Sequence, residues 1–192
     1  MRAAGSTAHG AAVDVSDKAA LETWVAEAAT ALGGIDIVVG NDWEQNLVHL
    51  NDGSGTFSTA SLGSSEYLSP TTSVAVGDLD GDGALDVVVS NKKRTSLVHL
   101  NDGGTPGGTI GAFSSASSFG NRDDLIESVT LADMNGDGRI DIITAEHRGS
   151  KKVQIWENNG KGITWREHVI SVGKENHLGA RITDIDNDGD QD

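Results

Sequence analysis

The sequence predicts a mainly β protein of repeated four-stranded antiparallel units, preceded by a short strand–helix–strand (βαβ) segment. Three observations predict it. One loop recurs, as D-L-D-G-D-G-A-L-D at Asp78–Asp86, D-M-N-G-D-G-R-I-D at Asp133–Asp141 and D-I-D-N-D-G-D-Q-D at Asp184–Asp192. Segments rich in Val and Ile stand in matching places, D-I-V-V-G-N (36–41), D-V-V-V-S-N (86–91) and D-I-I-T-A-E (141–146). Finally, 25 glycines with only two prolines favour a turn-rich β protein over disorder.

In chain order, residues 1–34 differ from the rest. A-A-V-D-V (11–15) is a strand candidate, and Ser16 or Asp17 can cap a helix running to about Leu32. Leu21, Trp24, Val25, Ala28 and Leu32 form its apolar stripe, and Gly33-Gly34 ends it. I-D-I-V-V (35–39) follows as a second strand, in a pattern suited to a parallel pair. From residue 35 the chain repeats. L-V-H-L-N-D-G occurs at 47–53 and 97–103, with V-Q-I-W-E-N-N-G (153–160) as a third version. Asp36, Asp86, Asp141 and Asp192 close successive units at spacings of 50, 55 and 51 residues. In the second unit, strands are expected near 73–77, 86–90, 96–101 and 111–117, the recurrent loop joining the first two as a hairpin. Four short antiparallel strands in roughly 50 residues is the arithmetic of a β-propeller blade. The expected division is a partial blade over 35–65, blades over about 70–120 and 124–172, and a truncated blade over 177–192. Loop position 2 (Leu79, Met134, Ile185) is expected to tuck inward, and Leu85 and Ile140 at position 8 to anchor the turn in the core. Val87 and Val89 alternate with Asp86 and Val88 along the strand that follows.

Each loop puts carboxylate or amide oxygens at positions 1, 3, 5 and 9, with Gly at position 6. Alternate carboxylates on a tight loop converge on one point and repel one another unless a cation sits there. Calcium accepts 6–8 oxygens at flexible angles, whereas zinc calls for His or Cys and magnesium for a stricter octahedron. Gly83, Gly138 and Gly189 permit the positive φ that turns the chain around the ion. An EF-hand shares D-x-D-x-D-G but needs a bidentate Glu at position 12. Val89 and Thr144 stand there, inside strand-like flanks.

The net charge of −15 excludes nucleic acid as a natural partner. Twelve of the 29 acids lie in the three loops, four, three and five in turn, so the acidity is a set of sites and not a solvating tail. With no cysteine there is neither a disulfide scaffold nor thiol chemistry. M-R-A-A-G-S-T-A-H-G lacks the apolar stretch of a signal peptide, and no run approaches the length that spans a bilayer. A soluble, unaddressed chain is expected. His49 and His99 occupy equivalent places in L-V-H-L, which suggests a duplicated strand position and not a catalytic pair. Trp43, Trp156 and Trp165 read as core or edge packing in preference to a sugar-stacking surface.

Two resemblances follow. V-D-V-S-D, the Ala-rich helix and L-G-G-I-D-I-V-V-x-N (residues 9–41) resemble the middle of a short-chain dehydrogenase/reductase. That resemblance places Asp14 near an adenine and matches Asn41 to the second Asn of N-N-A-G. The chain departs from it, with Asn41, Asp42 and Trp43 in place of N-A-G. It has no glycine-rich phosphate turn, and Thr71 stands where a lysine should follow Tyr67. Without a pyrophosphate cradle or a Tyr/Lys proton donor, the segment is a remnant and no enzyme is expected; the alternatives are a fusion or fragment carrying a vestigial NAD(P)-dependent segment, or an enzyme built on the propeller.

Loop, period and strand pattern over about 35–192 resemble the FG-GAP/VCBS repeats, whose best-known members are the integrin α-subunit propellers. The resemblance implies structural calcium ions on the rim of a β-propeller, with protein or glycan ligands bound elsewhere, usually outside the cell or at its surface. It implies a first site of Asp78, Asp80, Asp82, the Ala84 carbonyl and Asp86. The second is Asp133, Asn135, Asp137, the Arg139 carbonyl and Asp141, and the third Asp184, Asp186, Asp188, the Asp190 carbonyl and Asp192. In the first repeat Ala28, Thr30 and Leu32 stand where ligands belong, so its loop is overwritten. Loop three has no return strand and carries Gln191 at position 8, so two tight ions and a weaker third are expected. Two complete blades between partial ones form an open arc, closed by further blades or by self-association.

Overall fold

The protein is described by a computed structural model covering residues 36–52, 54, 56–62, 70–104, 112–173, 177–185 and 191. The expected strand at 11–15, the helix to Leu32, Asp14 and Tyr67 lie outside the described residues. Among the described residues the fold is almost entirely β, with eleven strands in three sheets. The first is β1 (Ile37–Val39), β2 (Asn46–Asn51) and β3 (Phe57–Leu62), in that order. The second is β4 (Thr71–Gly77), β5 (Asp86–Asn91), β6 (Ser96–Asn101) and β7 (Phe113–Phe119). The third is β8 (Ile126–Ala132), β9 (Asp141–Glu146), β10 (Lys152–Asn158) and β11 (Trp165–Val172). Both four-stranded sheets are antiparallel meanders in which chain neighbours are sheet neighbours. None of the described helices is long and apolar enough to cross a membrane.

The chain divides into two compact units, Met1–Val38 with Val48–Ala60, and Val39–Leu47 with Ser61–Asp192. Within the first, the Asn51 N–H donates to Asp36 Oδ1 at 2.8 Å, and His49 Nδ1 lies 3.0 Å from Thr59 Oγ1.

The second unit contains both four-stranded sheets, and its core lies between them. Val88, Val98 and Phe119 from one sheet, with Leu79 from its β4–β5 loop, meet Ile126, Val129, Ile142 and Trp156 from the next. Each fully buried aliphatic side chain here stabilises by about 1.5–3 kcal/mol. The Phe119 ring centroid sits 5.7 Å from that of Trp156 and 6.4 Å from that of Trp165, tilted by 58° in each case, within the range where aromatic pairs attract. Polar contacts fix the relative register of the two sheets. Thr72 Oγ1 donates to the Ile126 carbonyl at 2.6 Å, the Val129 N–H to Ser73 Oγ at 3.3 Å, and Ser117 Oγ to the Gly162 carbonyl at 2.7 Å.

Three expectations need correction. Leu79 tucks inward as expected, but Ile185 at the same position of its loop is 73% exposed. Leu85 is 60% exposed, because Asp86 beside it turns into the interior and alternation sends Leu85 out. Ile140, its counterpart, is partly buried against the core and closes on the Gly77 end of β4. All six residues of β5 and all six of β9 are buried, so the side chains that alternate along each strand meet a covered face on both sides. Of the tryptophans, Trp156 and Trp165 pack in or on the core, while Trp43 is exposed in a turn with φ 60°.

Candidate metal centre

The first recurrent loop links β4 to β5 as a hairpin, which brings its two ends together at Gly77 and Asp86, a paired position of the ladder. Two glycines with positive φ, Gly81 at 77° and Gly83 at 92°, curl the chain back on itself. Their N–H groups turn inward and donate to the two oxygens of Asp78, at 2.8 and 3.1 Å. Further along, the Asp82 N–H donates to Asp80 Oδ1 at 3.1 Å and the Ala84 N–H to Asp82 Oδ1 at 2.9 Å. The result is a rigid cup of acidic side chains, each held by a backbone donor.

Asp78, Asp80 and Asp86 each turn one carboxylate oxygen to a common point, all within 4.8 Å of one another. At that separation two unit charges repel by about 3–4 kcal/mol for an effective dielectric of about 20, before solvent screening. The protonation equilibria carry the mark of this crowding. Burial pushes the Asp86 carboxyl up to about 6, its hydrogen bonds from Asn101 and Leu79 offset part of the rise, and Asp80 and Asp78 add to it. Asp80 is also raised, by burial first and by the charges of Asp82 and Asp78. Asp82 Oδ2 is a buried oxygen with no hydrogen-bond partner. A buried carboxylate oxygen without a donor is costly, and a hard cation at the common point would neutralise the three converging carboxylates. The donor set is all oxygen, which suits calcium and not zinc.

The second loop repeats the backbone but not the electrostatics. Gly136 and Gly138 have φ of 71° and 85°, and the Gly138 N–H donates to Asp133 Oδ2 at 2.8 Å. The Asp137 N–H reaches both Asp133 Oδ1, at 3.1 Å, and Asn135 Oδ1, at 3.0 Å. Here, however, Asp137 Oδ2 is occupied by the Asn135 amide and by the Arg139 guanidinium. Burial alone would raise the Asp137 carboxyl, but the Arg139 N–H, the Asn135 amide and the Arg139 charge outweigh it and hold it below the usual range. Asp141 is raised, chiefly by burial. Among the described residues, Asp133, Asp137 and Asp141 do not repeat the open convergence of the first loop. In the third loop Asp184 is half-buried, while Asp186, Asp188, Asp190 and Asp192 lie outside the described residues.

Sequence reasoning overlooked the asparagine that locks the first and second loops. The closing aspartate uses both oxygens. Asp86 Oδ2 accepts the Leu79 N–H at 2.7 Å and Oδ1 the Asn101 N–H at 2.9 Å. Asp141 does the same with Met134 at 3.0 Å and Asn158 at 2.8 Å. Asn101 and Asn158 then return an amide hydrogen bond to the Leu85 and Ile140 carbonyls, each at 3.1 Å. The signal was present in the sequence as the recurring Asn that ends L-V-H-L-N and I-W-E-N. Asn41, matched above to a dehydrogenase motif, stands where Asn91 stands one repeat later. Each donates its amide to a carbonyl four residues on, Gln45 at 2.6 Å and Thr95 at 3.1 Å. His99 is buried at 3% exposure, and burial lowers its pKa, which favours the neutral ring.

Comparison with known families finds the FG-GAP-like repeat three times, over residues 33–89, 78–144 and 133–192. No curated protein matches the chain.

Proposed function

Because the chain belongs to the FG-GAP-like repeat family, we propose that it is a calcium-stabilised module of β-propeller type, non-catalytic, serving ligand binding or adhesion. The observation that carries this reading is the convergence of Asp78, Asp80 and Asp86, in the loop that also holds the unpartnered Asp82 Oδ2. The first site would be completed by the Ala84 carbonyl. The second would draw on Asp133, Asn135, Asp137, the Arg139 carbonyl and Asp141, and the third on the acidic loop that begins at Asp184. Bound calcium would supply charge neutralisation and fix each hairpin, so the loops are structural and the partner surface, for a protein or a glycan, lies elsewhere. A closed propeller has at least four blades, and the described residues hold two four-stranded sheets, so further blades or a second copy complete it in this reading.

Calcium that binds the folded state alone stabilises it by about 2.7 kcal/mol at a hundred times its Kd. Melting curves in calcium and in chelator should therefore separate by several degrees, and Asp82→Ala should remove most of the separation. Coincident curves for the unmodified protein would end the calcium reading.

A further inference from the structure

We propose that residues 177–183 are the first strand of a sheet whose other three strands come from a second copy of this chain, so that copies associate head to tail by strand pairing. This rests on the proposed reading of the repeats as propeller blades, and not on the calcium part of it. Each four-stranded sheet begins with the seven residues before its loop, T-T-S-V-A-V-G (71–77) and I-E-S-V-T-L-A (126–132). The same place before Asp184 holds H-L-G-A-R-I-T (177–183). The three-stranded sheet has the complementary gap. Its Asp36 accepts the Asn51 N–H at 2.8 Å, as Asp86 accepts from Asn101 at 2.9 Å and Asp141 from Asn158 at 2.8 Å. Strands β1, β2 and β3 therefore match the second, third and fourth strands of the other sheets. Among the described residues β1 is an edge, with no first strand beside it.

Residues 177–183 already sit where a first strand sits. The His177 N–H donates to the Glu146 carbonyl at 3.1 Å, as the Thr71 N–H donates to the carbonyl of Asn41, the equivalent residue two repeats earlier, at 3.2 Å. A Cβ at Gly179 would stand 3.6 Å from Ser128 Oγ, and Ser128 is the counterpart of Ser73, whose Oγ accepts the Val129 N–H one sheet earlier. Yet the segment forms no strand among the described residues, and its Leu178 is 72% exposed. The last residue of β7, Phe119, is 3% exposed in the core shared with the third sheet, whereas Ile170 and Val172 at the end of β11 are 60% and 69% exposed. Two strand edges with unpaired N–H and C=O groups are templates for each other. Their register follows from the complete sheets, where Gly77 opposes Asp86 and Ala132 opposes Asp141, while Ala75 opposes Val88 and Thr130 opposes Ile143. Thr183 would then oppose Asp36 of the second copy, and Arg181 its Val38. Each copy both gives and receives strands, so the contact is heterologous. With three sheets in each copy, two copies hold twice three, within the four to eight blades of closed propellers.

The chain has no cysteine, so introduced thiols can test both the partner and the register. The mass of the unmodified full chain is measured by light scattering over a range of concentrations. Separately, Arg181→Cys is mixed with Val38→Cys or, as a control, with Ser58→Cys on β3, and oxidised. The expected mass is twice that of one chain. The linked dimer should form several-fold more with Val38→Cys than with Ser58→Cys, since opposed residues of a ladder lie within disulfide reach. A chain that stays monomeric at every concentration overturns the proposal, and so does a dimer that links no better than the control. Should the cysteine variants fail to fold, Ala180→Pro decides. Residue 180 lies outside every described ladder, so both four-stranded sheets keep their strands, while proline removes a donor that a paired strand needs. Loss of the dimer supports the pairing, and an unchanged dimer overturns it. Coincident melts in calcium and chelator would end the calcium reading and leave the strand pairing standing. A monomer whose melts separate would do the reverse.

Discussion

Asp86 holds a turn and faces the candidate ion with the same carboxylate, and its protonation links the two. It is fully buried, and burial raises its carboxyl to about 6 from an ordinary 3.8. A carboxyl raised by folding binds protons more readily in the folded state than in the unfolded chain. Its contribution to the calcium-free protein is therefore fully present below about pH 4 and is lost as pH rises through about 6. Asp80 and Asp141 are raised too, so their contributions have the same sign. Two pH units at one group correspond to roughly 2–3 kcal/mol. In the proposed reading protons and calcium would compete for the same oxygens, so calcium should give little stabilisation near pH 4 and progressively more towards pH 7. Melting temperatures recorded across pH 4–7, with and without calcium, check both slopes. A calcium-free protein that grows steadily more stable from pH 4 to 6.5 would contradict the burial of Asp86.

At the level of elements, the contact between the two four-stranded sheets depends on a few polar groups that no alternation pattern exposes. Asn158 has no exposed surface and serves both sheets. Its amide donates to the Leu79 carbonyl at 2.8 Å and the Ile140 carbonyl at 3.1 Å, and its oxygen accepts from the Gly160 N–H at 3.0 Å. Asn158→Ala would leave these groups without their partner at a buried seam. The expected loss is on the order of 3 kcal/mol, seen as a lower denaturation midpoint both with and without calcium. A change below about 0.5 kcal/mol would show that water replaces the amide at little cost. This seam also explains what was legible in the sequence. The strands around Val88, Val98 and Ile142 were readable because apolar runs between glycine-rich turns signal strands whatever covers them. The Asp78 and Asp133 loops were readable because a fixed oxygen spacing has few other uses. What covers each face was not readable, since the exposure of Leu85 and the burial of Ile140 depend on neighbours far along the chain. Arg139 was equally hidden: its carbonyl counted as a ligand, while the direction of its side chain is set by the Asn158 carbonyl nineteen residues on.

Across the whole molecule, charge is unevenly distributed, and that distribution can be read in solution. The chain carries a net charge of −15, and twelve of its 29 acids belong to the three loops. Within the first loop three carboxylates share a space less than 5 Å across, and no lysine or arginine occupies any of its nine positions. Repulsion of this kind opposes folding, because the unfolded chain lets the same groups separate. Monovalent salt screens it, with a Debye length falling from about 30 Å at 0.01 M to about 10 Å at 0.1 M. Calcium bound as proposed would act differently, by cancelling charge at the point where it is concentrated. The calcium-free protein should therefore gain stability as sodium chloride rises from about 0.01 to 0.3 M. A gain of about 1–2 kcal/mol would raise the melting temperature by several degrees for a chain of this size. With calcium saturating, the same salt series should give a clearly smaller rise, since less repulsion remains to be screened. Choline chloride should match sodium chloride if the effect is screening and not sodium occupying the loop. Equal salt dependence with and without calcium would mean that the loops are not where the destabilising charge resides, and the charge argument for an ion in the Asp78–Asp86 cup would fall with it.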